Sequence, residues 1–192
     1  LDFDLPMADE EMENIKYHVL DAKEISDGDL RPFCWRGSEM MAISAQETTI
    51  HVGVAAWQWP SYCDPETKMK GITLDIADWR RPSPESAPVQ AKAAGLYMIC
   101  TLAKHTAERK GFQDALMLDY RGYVAEATGA NIFFLMNDGK IHTPKADCFL
   151  DGITRRTVIE LAKQAGLEVV ERHISPDELE NAREAFLTGT AA

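Results

Sequence analysis

With 192 residues, 45% of them hydrophobic and 27% charged, the chain has the composition of a folded protein of one or two domains, not of a disordered one. A net charge of -11 argues against a nucleic-acid-binding face and against docking on anionic membranes. The four cysteines (Cys34, Cys63, Cys100, Cys148) form no C-x-x-C pair, which points to a reducing cytoplasm, and the five histidines lack metal-ligand spacing, so no metal is expected.

No apolar run approaches the roughly 20 residues that cross a bilayer, and no signal-peptide pattern is present. The sequence opens on Leu1 and stops at Ala192, and both ends read as cut from a longer protein.

Residues 9–23 predict a helix with Asp9 as N-cap and an apolar stripe through Met12, Ile15 and Val19. Gly28 interrupts it. Strands are expected at 30–35, 39–45 and 49–56, with Pro32 favouring an edge. The aromatic run Trp57-Gln58-Trp59-Pro60-Ser61-Tyr62 reads as a packed connection between two domains or as the wall of an apolar pocket. A further strand is expected at 70–77. Arg80 and Arg81 then open a proline-broken loop, where a basic pair is ordinarily solvated.

Pro88–Tyr97 sets Lys92 among small and apolar residues at the start of a helical pattern running from Ala91 to Lys110, with Gly111 as a natural stop. Such a lysine is either a surface residue or a partly desolvated amine ready to form a Schiff base. On a continuous helix Lys92 and Tyr97 would point about 140° apart, so they could flank one site only if Lys92 preceded the helix.

A β-meander follows over 114–143, with Asp138-Gly139 as a type I′ hairpin signal. Within it Glu126 ends a short strand among small residues. Asp151-Gly152-Ile153-Thr154 then starts a helix running to Ala165, with Thr154 as N-cap; a glycine turn at a helix start is competent to cradle an anion. After a strand at 167–174, Ser175-Pro176-Asp177-Glu178 forms a capping box for a short helix. A last strand at 184–187 leads to Thr188-Gly189-Thr190-Ala191-Ala192, a turn of small residues with exposed donors.

Four motifs thus stand in order: Ala-Lys92-Ala-Ala-Gly-Leu-Tyr97, Glu126-Ala-Thr-Gly-Ala-Asn131, Asp151-Gly152-Ile153-Thr154-Arg155 and Thr188-Gly189-Thr190-Ala191. Their order, and the spacing of Lys92 and Glu126, resemble the class IV aminotransferases, closest to the branched-chain type. The resemblance implies an α+β, two-domain fold type IV enzyme. It divides the chain into a partial small N-terminal α/β domain (1–58), a connection (59–66) and a larger β-barrel-like cofactor domain with flanking helices (67–192).

It also implies pyridoxal 5'-phosphate as cofactor, held by Lys92 as an internal aldimine. Lys92 would then shuttle the substrate proton, Glu126 would pair with the ring nitrogen, and Tyr97 would bond the ring oxygen. Ile153, Thr154 and Thr190 would bind the phosphate. Gly189, Thr190 and Ala191 would receive the substrate carboxylate, bordered by Arg31, and Met41, Ile43, Trp59 and Tyr62 would line an aliphatic pocket. Asp29 stands where many branched-chain members carry a tyrosine, and Ala130 replaces an acid. The family's phosphate-binding arginine lies in a part that precedes this chain.

The implied reaction is ping-pong transamination of Leu, Ile and Val with 2-oxoglutarate, in branched-chain amino-acid biosynthesis, by a cytoplasmic homodimer or higher homo-oligomer. Partners are small amino and 2-oxo acids, with no nucleic acid and no membrane. The alternatives are a D-amino-acid or amine transaminase, an aminodeoxychorismate lyase, or a catalytically inactive fragment or binding module that keeps the fold.

Overall fold

The computed structural model describes residues 1–59 and 65–190, and the chain divides into two units, Leu1–Ser61 and Tyr62–Ala192. In the first, Asp9–Ala22 forms helix α1. Its N-cap is Ala8, not Asp9; Asp9 is already helical and, with Glu10 and Glu11, complements the positive end of the helix dipole instead. Strands β1 (Asp29–Arg36) and β2 (Ile50–Trp57) pair antiparallel, placing Pro32 opposite Val54. Gly53 lies under the Phe33 ring, where a Cβ would come within 2.7 Å of Cζ.

The strand expected at 39–45 does not form. That segment is irregular and mostly exposed. Its polar groups are met by side chains in place of a ladder: Arg36 donates to the Ala45 carbonyl at 2.7 Å and Thr48 donates to the same oxygen at 2.6 Å.

The second unit opens with a short helix, α2 (Pro65–Lys70), ended by Gly71 at φ +78°. The strand expected at 70–77 consequently runs later, as β3 (Leu74–Arg81), and takes Arg80 and Arg81 out of the loop assigned to them. A 3-10 turn at Ala94–Tyr97 and helix α3 (Met98–Arg109) carry the chain across to β4 (Asp114–Asp119), parallel to β3; β5 (Val124–Ala127) pairs antiparallel with β4. The α3 helix starts later than its sequence pattern: Ala94–Tyr97 form the 3-10 turn, and Tyr97 packs with Cys100, Ala103 and Ala107 in one cluster.

Strands β6 (Asn131–Met136) and β7 (Ile141–Pro144), helix α4 (Ile153–Gln164), β8 (Val169–Arg172) and β9 (Ala182–Thr188) complete the unit. They form a four-stranded sheet in the order β8-β7-β6-β9, with β7 and β8 parallel. The expected meander is therefore split: the Thr128-Gly129-Ala130 turn passes the chain from one sheet to the other. The β6–β7 connection is a loop in which only Gly139 has positive φ, so it is not the type I′ turn its sequence suggested. The short helix after Ser175 is a 3-10 segment, Pro176–Asn181, with the Ser175 N–H donating to Glu178 Oε1 at 2.8 Å.

Alternate residues of β4 serve two cores. Ala115 and Met117 pack on α3, whereas Leu116 and Leu118 join Val124, Ile132, Phe134, Met136 and Ile174 between the sheets. A strand buried on both faces reads as a continuous apolar run, which is the pattern of Ala115-Leu116-Met117-Leu118. The α+β class is as expected.

Candidate active site

Glu126 lies in β5 between Ala125 and Ala127, and its side chain is buried. Its Oε1 is 3.4 Å from Arg81 Nε, and its Oε2 accepts from Asn131 Nδ2 at 3.3 Å. Both contacts are long, and Arg81 Nε makes no hydrogen bond of good geometry despite being buried. Arg81 is fixed by donating to the Leu96 carbonyl at 3.1 Å and to Cys100 Sγ at 3.4 Å. Burial pushes the Glu126 carboxyl up to about 8, against the opposing pull of the Arg81 and Lys92 charges. A carboxylate so enclosed, with slack contacts, suits a further cationic N–H donor.

Lys92 sits in the extended segment before the 3-10 turn, so the helical angle that would separate it from Tyr97 does not apply. Its Nζ donates to Tyr97 Oη at 3.2 Å and lies 5.4 Å from the ring centroid. The residue is exposed, and its neighbours Ala91, Ala93, Ala94 and Gly95 are small. Gln90 ties this segment to the next: its Nε2 donates to the Ala146 and Phe149 carbonyls at 2.7 and 3.2 Å.

That loop ends in the turn that starts α4. The N-cap is Gly152, and Thr154 is already helical; no side chain caps the helix and no acid stands in its first turn. The first backbone N–H groups are therefore left for an anion. A Cβ on Gly152 would collide with Asn131 Oδ1, which explains the glycine. Arg155, buried, fastens the helix start by donating to Asp151 at 2.7 Å, the Pro144 carbonyl at 3.0 Å and Glu171 at 2.7 Å. Thr188, whose buried Oγ1 has no hydrogen-bond partner among the described residues, precedes half-buried Gly189 and exposed Thr190.

The second unit thus brings Lys92, Tyr97 and Glu126 together, with Gln90 joining the Lys92 segment to the loop before Ile153 and Thr154. In the first unit, Arg31 is exposed on β1, with its guanidinium 5.1 Å from the Trp57 ring centroid and 3.5 Å from Asp29. Met41 and Ile43 are fully exposed in the irregular segment. Trp59 packs edge-on against Trp57 at 5.7 Å. Tyr62 and Ala191 lie outside the described residues.

Sequence reasoning missed Arg81, Gln90 and the side-chain role of Asn131. For Arg81 a signal existed: a strand at 74–81 sets Ala77 and Arg81 four apart on one buried side. Elsewhere Asp119, Asp147 and Cys148 gather ligand-type atoms within 4.8 Å of one another. The Arg121 guanidinium reaches all three, at 2.6, 2.8 and 3.3 Å, and meets their charge from within the chain.

A family model described as amino-transferase class IV matches residues 1–192. A Rickettsia felis protein named a probable branched-chain-amino-acid aminotransferase is 43% identical over 181 residues, covering 93% of this chain and 61% of its own length. The crystal structure of the Escherichia coli branched-chain amino acid aminotransferase aligns with a TM-score of 0.93 at 33% identity, covering 99% of this chain and 63% of that one. An aminotransferase from Brucella abortus, crystallised with the cofactor PLP, aligns with a TM-score of 0.82 at 32% identity, covering 98% and 66%. This chain spans about three fifths of the length of the curated relatives it matches.

Proposed function

Since the chain belongs to the class IV aminotransferases, we propose that it forms part of a pyridoxal-phosphate-dependent transaminase exchanging the amino group of leucine, isoleucine or valine with 2-oxoglutarate. The observation that carries the reading is the buried, loosely held Glu126 carboxylate, which the Lys92 charge reaches and whose partner Asn131 also meets the uncapped Gly152 turn. The residues fit the cofactor at both ends: Glu126 meets the Arg81 guanidinium only at 3.4 Å, leaving room for a closer N–H donor, and the α4 turn presents backbone N–H groups that no side chain of the described residues caps. When bound, pyridoxal 5'-phosphate supplies a protonated ring that accepts the electrons released as the substrate Cα–H bond breaks.

This chain's residues do the rest. Lys92 anchors the cofactor through its amine and carries the proton at Nζ, and Tyr97, whose Oη lies 3.2 Å from that nitrogen, bonds the ring oxygen. Glu126 keeps the ring nitrogen protonated, and its own burial strengthens that pairing. Ile153, Thr154 and Thr190 bind the phosphate. Gly189, Thr190 and Ala191 receive the substrate carboxylate, with Arg31 at its border. Met41, Ile43, Trp59 and Tyr62 line the side-chain pocket, whose apolar character accepts all three aliphatic substrates because a methylene is worth only about 1–3 kcal/mol.

The same reading divides the chain at 1–58, 59–66 and 67–192 and makes the protein a homodimer or higher homo-oligomer. The free thiols of Cys34, Cys100 and Cys148 support a cytoplasmic location. Among the described residues no helix is long and apolar enough to cross a membrane.

Titrating the full-length protein with pyridoxal phosphate tests the proposal. A visible absorption band should form and be absent in Lys92→Ala, with turnover of L-leucine reduced by about 10⁴-fold or more. Absence of the band in the unsubstituted protein would refute the cofactor, and activity on D-alanine with none on L-leucine would refute the substrate.

A further inference from the structure

We propose that Asn131 is a positioning residue that sets the spacing between the carboxylate facing the cofactor's ring nitrogen and the turns facing its phosphate. The inference rests on the cofactor reading above and goes beyond the residues that reading assigns.

Asn131 begins β6 and is buried. Its side-chain nitrogen has two hydrogens, and each has an acceptor: Glu126 Oε2 at 3.3 Å and the Leu150 carbonyl at 3.1 Å. Its side-chain oxygen faces Gly152, where any Cβ would strike it. Its backbone is the register partner of Thr188 on β9, one residue before Gly189 and Thr190. One planar amide therefore touches the ring-nitrogen carboxylate and the helix-start turn, and its own strand position fixes the start of the closing turn. These three belong to β5, the loop before α4, and β9, and Asn131 is where they meet.

A buried amide needs partners whatever its purpose, so stability alone would also favour an asparagine here. What stability does not require is that one hydrogen goes to the carboxylate proposed to face the ring nitrogen and the other to the loop leading into the anion turn, or that this turn be glycine because the amide oxygen occupies the Cβ position. Asparagine is also distinguished from its isostere. An aspartate would leave the Leu150 carbonyl without a donor and set a second carboxylate against Glu126, two like charges in a buried site.

The test uses the full-length protein, stripped of cofactor, with Asn131→Ala, Asn131→Asp and Gly152→Ala. Dissociation constants are measured for pyridoxal phosphate and, separately, for inorganic phosphate. Losing both hydrogen bonds that the amide nitrogen donates predicts weakening of about fivefold or more for both ligands in each Asn131 variant. Gly152→Ala, which keeps the asparagine but displaces its amide, should do the same.

A purely structural asparagine would lower the melting temperature and leave inorganic phosphate affinity of the folded protein unchanged, and that result overturns the proposal. So does weakening below about fivefold for either ligand. Should Asn131→Ala fail to fold, the isosteric Asn131→Asp and Gly152→Ala decide. Failure of the unsubstituted protein to bind pyridoxal phosphate would instead overturn the cofactor reading; normal binding there with unaffected variants overturns only the role of Asn131.

Discussion

The two units of the chain differ in what holds them. The second contains two apolar clusters, one between its sheets and one between α3 and the parallel pair of strands. In the first, only Thr48 and Ala56 are buried among the described residues, and Phe33, Trp35, Met41, Ile43 and Trp59 are exposed. The cofactor-facing groups stand on a frame that supplies its own core, whereas the residues proposed to recognise the substrate side chain stand on a strand pair and an irregular segment that do not.

The bluntest way to break that contrast is to cut the chain. Residues 62–192 expressed alone should unfold cooperatively in urea, and residues 1–61 alone should show no cooperative transition, by circular dichroism. A cooperative first unit, or a second unit without a transition, would erase the distinction.

The next effect is electrostatic. Glu126 in the cofactor-free protein has its carboxyl raised from 4.5 to about 8. Between those values the folded protein retains a proton that the unfolded chain has released, so stability falls as pH rises through that window, by up to about 1.4 kcal/mol per unit. Glu126→Gln should flatten this dependence, measured as the urea midpoint against pH. A profile unchanged by the substitution would mean that the buried carboxylate stays ionised through this window, held by Arg81. In the loaded full-length enzyme the same substitution should slow turnover by roughly 10²-fold, since the ring nitrogen loses its charged partner.

Side-chain truncation gives the finest comparison. Phe134→Ala, in the inter-sheet core, should cost about 3–5 kcal/mol. Ile43→Ala, fully exposed, should change stability by less than about 0.5 kcal/mol. If Ile43 does meet substrate, that variant should raise the KM for L-leucine by roughly 10-fold with little change in melting temperature.

Much of the second unit could be read from its residues. Short apolar runs between turn residues located β4 and β6, and the ordered motifs singled out Lys92, Glu126 and Gly152. What escaped were contacts made across the chain. The spacing of Ala77 and Arg81 places both on one side of a strand, but nothing near Arg81 announces that this strand pairs with β4 and sets the guanidinium beside Glu126. The change of sheet at Gly129 is equally invisible, since a turn within one sheet and a turn between two are built from the same small residues. Lys92 and Tyr97 meet under the condition the sequence set, with Lys92 ahead of the helix; what differs is the helix start, expected at Ala91 and found at Met98 after a 3-10 turn.

The Gln90 carboxamide has a consequence for the order of events during folding. Its bonds to Ala146 and Phe149 join residues 56 and 59 positions apart. Contacts of such separation form slowly, because a long loop must close before they return any free energy. Both sheets can pair before Gln90 docks, so the segment bearing Lys92 is expected to settle among the last. Cofactor capture in this protein is then a report on finished folding, and a chain stalled short of that docking would hold its secondary structure while remaining colourless.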